Sequence, residues 1–335
     1  MMKKVIAVFL SLALMASLAL TAEAAEEKTI RVVTTIFPIY DWVREISGDN
    51  STVELTMLLD NGVDLHSYQP TAADMMKIAT CDVFIHVGGE SDEWVEDALQ
   101  EAVNKDMIVV NLVDAMGEDI KTEEIVEGME HEHDEDEEHE HGEAHAEDGD
   151  HDHDHEEEAD EHVWLSLRNA QKLAGAISEA LAQADPAHGE SFRANAAAYC
   201  EKLAALDREY SQAVETASFK TLVFGDRFPF RYLTDDYGLA YYAAFAGCSA
   251  ETEASFRTIV FLAQKTDELG LPAVMTIEGA HHKIAETIVE NTSAKDQKIL
   301  TLNSMQGTTT ADVQSGATYL SIMEENLDVL KQAIH

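Results

Sequence analysis

Fifteen histidines are set among 65 Asp and Glu and only 22 Lys and Arg, and eight of them fall within residues 130–161, beside 19 acidic residues and no Lys or Arg. Neutral imidazole nitrogen is a borderline-soft donor that suits zinc, so the chemistry on offer is capture of a divalent cation. The stretch "HDHDHEEEADEHVWLSL" (151–167) contains two kinds of histidine. His151, His153 and His155 alternate with carboxylates in a region without apolar pattern, which suits weak, exchanging capture or, more plainly, a solvated acidic loop. His162 directly precedes Val163-Trp164-Leu165, where a buried segment begins. Sulfur is the other zinc-seeking donor. Cys81, Cys200 and Cys248 form no CxxC pair, so they are expected to be buried and inert, with the odd count leaving at least one thiol unpaired even in an oxidising compartment.

Positioning such residues requires a framework, and the apolar runs supply one. "IRVVTTIF" (30–37), "VELTML" (53–58), "VFIHV" (83–87) and "IVVNL" (108–112) read as strands separated by helical stretches, the first helix opening at Pro38 and closing at Gly48. A second series follows: "TLVF" (221–224), "LAYYAAF" (239–245), "AVMTI" (273–277) and "ILTL" (299–302). Nearly continuous apolar strands alternating with helices predict parallel sheets covered on both faces. The expected fold is therefore α/β, with two lobes at 25–185 and 218–335. Between them, 186–217 carries Phe192, Ala196, Tyr199, Leu203, Leu206, Tyr210 and Val214 at steps of three or four, a stripe that predicts one rigid linking helix roughly 40 Å long. Residues 122–161 are too poor in apolar side chains to offset the entropy of ordering and are expected to form a disordered loop.

The net charge of −43 argues against nucleic acid as a partner. Lys3 and Lys4, the apolar run from Val5 to Leu20 and Ala22-Glu23-Ala24 have the form of a cleavable signal peptide over residues 1–24. The mature chain is then expected to work outside the cytoplasm, in the periplasm or an equivalent space.

Two segments, "DLHSYQP" (64–70) and "DEHVWL" (160–165), together with the acidic histidine-rich stretch before the second, resemble the metal-binding substrate receptors of zinc and manganese ABC importers, and the resemblance spans nearly all of the mature chain. It implies a metal site in the cleft between two lobes, with His66 and His162 as ligands, zinc as cargo rather than manganese, a membrane permease as partner, and a monomeric receptor rather than an enzyme. The C-terminal half departs from the pattern. Counting back from Tyr237-Gly238-Leu239, Arg227 stands where the family places its third ligand, whereas alignment on the strand end "TLVF" puts that position near Gly225 or Asp226; Asn303 stands where the manganese branch uses Asp. Arg has no lone pair for a metal. Glu278, at the end of "AVMTIEG", and His282, at a helix start, are the expected replacements, with Asp226 in reserve and a Glu278–Arg227 ion pair as the competing role. His86 is expected to be a core histidine, and His188 and His335 surface ones. A metallohydrolase would need an open coordination position, a general base and a substrate pocket, and no HExxH or GxSxG motif is present. A zinc buffer without a transporter is the remaining alternative.

Overall fold

The computed structural model describes residues 29–129, 159–249, 253–279 and 282–335. Its first sheet comprises β1 (Ile30–Thr34), β2 (Val53–Met57), β3 (Val83–His86) and β4 (Ile108–Asn111), in the order β2-β1-β3-β4 with all pairs parallel. Helices α1 (Phe37–Ser47), α2 (Ala72–Thr80), α3 (Trp94–Gln100) and α4 (Leu112–Met116) cross between and beyond these strands. After α5 (Leu167–Ala184) and α6 (Gly189–Glu215) the plan repeats. β5 (Thr221–Phe228), β6 (Ala240–Ala246), β7 (Ala273–Ile277) and β8 (Lys298–Leu302) form a parallel sheet ordered β6-β5-β7-β8, with α7 (Arg231–Tyr237), α8 (Phe256–Leu269), α9 (Lys283–Asn291), α10 (Thr310–Gln314) and α11 (Tyr319–Ile334). Both sheets place their switch in strand order at the same step, β1/β3 and β5/β7, and open α/β sheets bind ligands beyond the carboxyl ends of strands at such points.

Local chemistry explains the boundaries. Pro38 lies in the first turn of α1, where a missing N–H costs nothing, and Gly48 ends the helix at φ +58°. Central strands β3 and β7 are buried at every position, as expected of strands covered on both faces. The expected linking helix is observed as α6, and all seven residues of its predicted stripe are buried.

The larger apolar core runs from β1 through α6 to α11 and takes in both halves, while a second cluster, with Val223, Leu262, Val274 and Ile288, packs α8 and α9 on the C-terminal sheet. Polar ties reinforce the larger core. Trp164 Nε1 donates to the Ser304 carbonyl at 2.9 Å, Tyr319 OH to the Trp164 carbonyl at 2.6 Å, and the Tyr319 N–H to buried Asp41 in α1 at 2.7 Å.

At both ends of the stretch expected to be a disordered loop, 122–161, the described residues are ordered. Thr122 bridges Ala159 antiparallel, and Met129, Asp160 and Glu161 are buried. The Asp160 N–H donates to the Lys121 carbonyl, and Tyr232 OH to the Asp160 carbonyl, so backbone pairing and an aromatic from α7 hold both ends in place. Residues 130–158 and the signal-like residues 1–24 lie outside the described residues. No helix among the described residues is long and apolar enough to cross a membrane.

Candidate metal centre

His66 sits on a 3-10 turn, Leu65–Ser67, that follows β2. Asp64 caps the turn by accepting the His66 N–H at 3.0 Å, and Leu65 anchors it in the core at 1% exposure. The ring's Nδ1 lies 2.7 Å from Ser91 Oγ, in the turn after β3. The Ser91 N–H in turn donates to Glu161 Oε1 at 2.8 Å.

His162 is fully buried, directly before the 3-10 turn Val163–Leu165 whose three residues are also buried. Its Nδ1 is 3.0 Å from Asp160 Oδ1, which also accepts its backbone N–H at 2.9 Å. An ionised carboxylate only accepts, so Nδ1 carries the proton and Nε2 keeps its lone pair. That lone pair meets His66: the two Nε2 atoms are 3.2 Å apart. Two nitrogens bound at 2.0–2.1 Å to a tetrahedral zinc stand about 3.3 Å apart, so this pair already has the separation of co-ligands. Without a cation the facing lone pairs require one shared proton between them; a cation there would displace that proton, and Ser91 Oγ could then accept the His66 Nδ1–H.

Burial, then the facing His162, hold the His66 imidazole at about 3, well below its ordinary 6.5, with Asp64 opposing and Arg227 adding. His66 is therefore neutral, the form a metal needs.

The second half contributes differently. Gly247 follows β6, and a Cβ there would stand 2.9 Å from His162 Cε1, so only glycine lets the chain pass so close to the ring. The next residue is Cys248. Its Sγ and the ring nitrogens of His66 and His162 lie within 4.8 Å of one another, the one such group among the described residues. Burial pushes the Cys248 thiol well up, helped by the carboxylates of Glu123, Glu161 and Asp160, while a hydrogen bond from the Glu161 backbone acts the other way.

Arg227 occupies a bulge in β5. Its Nη2 reaches Asp64 Oδ2 at 2.6 Å and its Nη1 the Ser249 carbonyl at 3.5 Å. One guanidinium thus ties the turn carrying His66 to the loop carrying Cys248. Against the effect of burial, Arg227 holds the Asp64 carboxyl below the usual carboxylate range.

The structure does not bring Glu278 or His282 into this group. Glu278 does end β7 at the cleft, but its carboxylate accepts the Ser304 N–H at 2.6 Å, the Ser304 hydroxyl at 2.7 Å and the Gln306 N–H at 3.2 Å. Three donors engage it in shaping the loop after β8. Neither does it pair with Arg227, which has Asp64. His282 Nδ1 lies 2.9 Å from Thr276 Oγ1, which donates to Asp226 Oδ2 at 2.6 Å, so Asp226 is also engaged. His281 falls outside the described residues. His86 is a core histidine as expected, 3.2 Å from buried Asp92. A cleft of about 790 Å³ has Asp64, Arg227, Glu278 and Asn303 in its wall, whereas His66, His162 and Cys248 do not line it.

Cys248 is the residue beside the histidine pair that sequence reasoning did not single out. Two signals pointed to it: the odd cysteine count and its place just past the end of an apolar strand, where this architecture puts ligands.

A family model described as zinc-uptake complex component A, periplasmic, matches residues 32–333. The zinc-binding protein AdcA of Streptococcus pyogenes serotype M3 is 30% identical over 311 residues, 91% of this chain and 56% of that protein. The high-affinity zinc uptake system protein ZnuA of Bacillus subtilis is 30% identical over 305 residues, 91% of this chain and 88% of the relative. Among solved structures, the chain is similar to the Zn(II)-bound ZnuA-like domain of Streptococcus pneumoniae AdcA, with a TM-score of 0.68 and 27% identity over 91% of this chain and 99% of that one. The chain spans 56–61% of the length of the streptococcal AdcA relatives. With the paired histidines, the repeated parallel sheets and a match running from residue 32 to residue 333, the chain belongs to the zinc-uptake complex component A family of periplasmic proteins.

Proposed function

We propose that this protein is an extracytoplasmic receptor that binds zinc through His66 and His162 and hands it to the permease of an ABC importer. The observation that carries the reading is the 3.2 Å approach of the two Nε2 atoms, with each Nδ1 already engaged, by Ser91 and by Asp160. Hydrogen-bonded Nδ1 atoms of this kind orient a ligand ring and raise its basicity. Imidazole donors favour zinc over manganese, which prefers oxygen. The zinc-binding names of the relatives point the same way.

A hydrolase would need room for substrate beside the metal. His162 is fully buried and the His66 side chain only 10% exposed, which favours a closed binding site. The leader-like residues 1–24 support export. The composition of 130–158 supports a low-affinity collecting segment that feeds the site.

Chelator competition on the full chain tests the reading, because a strong competitor keeps weak sites empty. One tight zinc equivalent is expected. His66→Ala or His162→Ala should weaken it at least tenfold, about 1.4 kcal/mol or more. Parental affinity in both variants would remove the site. Deleting 130–158, and not the longer 122–161 that contains Asp160, separates a receptor from a buffer: a receptor keeps the tight equivalent.

A further inference from the structure

We infer that Cys248 is a metal-binding thiolate, so that the site is a two-imidazole, one-sulfur centre whose sulfur comes from the C-terminal half and selects zinc against manganese. This rests on the receptor reading and adds a ligand to it.

Four observations converge on the sulfur. It lies within 4.8 Å of a ring nitrogen of each of His66 and His162. For a tetrahedral zinc with bonds of about 2.3 Å to sulfur and about 2.0 Å to nitrogen, the sulfur–nitrogen separation is about 3.5 Å, so closure asks for a shift of an ångström or so. The loop that carries it is held on both sides: the Cys248 N–H donates to Glu123 Oε1 at 3.0 Å, and Arg227 reaches the Ser249 carbonyl. Gly247 removes the Cβ that would otherwise collide with His162, so the backbone is shaped to bring Cys248 to that ring. Finally, Glu161 Oε2 is buried with no hydrogen-bond partner and lies 4.0 Å from His66 Nδ1. A buried carboxylate oxygen with no hydrogen-bond partner, this close to the histidine pair, is an acceptor that a nearby cation would satisfy.

The rest of the second half supports the assignment by elimination. Arg227 cannot ligate, and Glu278 is engaged by three donors. When zinc enters, the sulfur–metal bond forms as the S–H bond breaks, and the proton leaves to water; no oxidant or reductant is required. A thiolate is a soft donor, and manganese, which favours carboxylates and water, gains little from it.

Cobalt(II) reports sulfur ligation directly, because only a thiolate gives an intense sulfur-to-cobalt charge-transfer band in the near ultraviolet; histidines elsewhere in the full chain are silent there. The full chain loaded with one cobalt should show the band. Cys248→Ser should abolish it and weaken tight zinc binding at least tenfold, while Cys200→Ser keeps both. In the parent, zinc should protect Cys248 from alkylation, read by peptide mass, which covers the case of a poorly folding variant. Tight cobalt and zinc binding without the band, with Cys248 alkylated at the same rate, would overturn the sulfur ligand and leave the two-histidine receptor standing. Absence of any tight equivalent in the parent would overturn both.

Discussion

The two halves of this molecule share a strand order, yet they treat the ends of their strands in opposite ways. In the first half the turns after β2 and β3 and the approach to α5 converge on two imidazoles, each with its far nitrogen anchored. In the second half the polar residues at the strand ends are spent on bracing: Arg227 on Asp64, Glu278 on the loop after β8, Asp226 on Thr276. The group it brings near the two imidazoles is the Cys248 sulfur, on the loop after β6. One half therefore carries the paired imidazoles and the other, with the same strand order, places a cysteine beside them.

If the halves are pieces of one core, that unity can be broken at Trp164. The residue is fully buried, donates to Ser304 and accepts from Tyr319, both in the other half. Trp164→Ala should cost roughly 3–5 kcal/mol in metal-free stability by urea unfolding, with the parent showing a single transition. Two separated transitions in the parent would mean that the halves fold independently.

A second link can be sharpened with pH. Asp41 in α1 is fully buried and caps Tyr319 at the start of α11. Burial pushes its carboxyl up from 3.8 to about 6, although the Tyr319 N–H and Arg44 oppose this. Because the folded value lies above the unfolded one, the contribution to stability is complete below about 3.8 and is lost as pH rises through about 6. Asp41→Asn, which cannot ionise, should therefore gain roughly 1–3 kcal/mol on the parent between pH 4 and pH 7. A constant difference across that range would show that the two carboxyl values do not differ.

The smallest expected effect separates brace from ligand. Arg227→Ala releases Asp64 and should weaken tight zinc binding about tenfold, within the usual cost of losing an outer hydrogen bond. Glu278→Ala, which loosens only the loop after β8, should stay within about threefold of parental affinity. The comparison fails if Glu278→Ala is the more damaging of the two, or if Arg227→Ala tightens binding.

Much of this was legible from residues alone. The α6 stripe, the eight strands and the first turn of α1 around Pro38 depend on local pattern, where periodicity determines the outcome, and the resemblance singled out His66 and His162, which the fold brings to 3.2 Å. Three matters were decided only in three dimensions. Arg227 and Asp64 are 163 residues apart, and nothing local says that they pair. Glu278 carries the residue type of a ligand, but three donors from a loop far along the chain engage its oxygens. Cys248, alone and without a CxxC partner, looked inert. Its place beside the two imidazoles depends on how the strand after Gly238 ends against a histidine from the other half, and convergence of distant chain segments is set by the packing of whole sheets around a shared core, which no window of sequence contains.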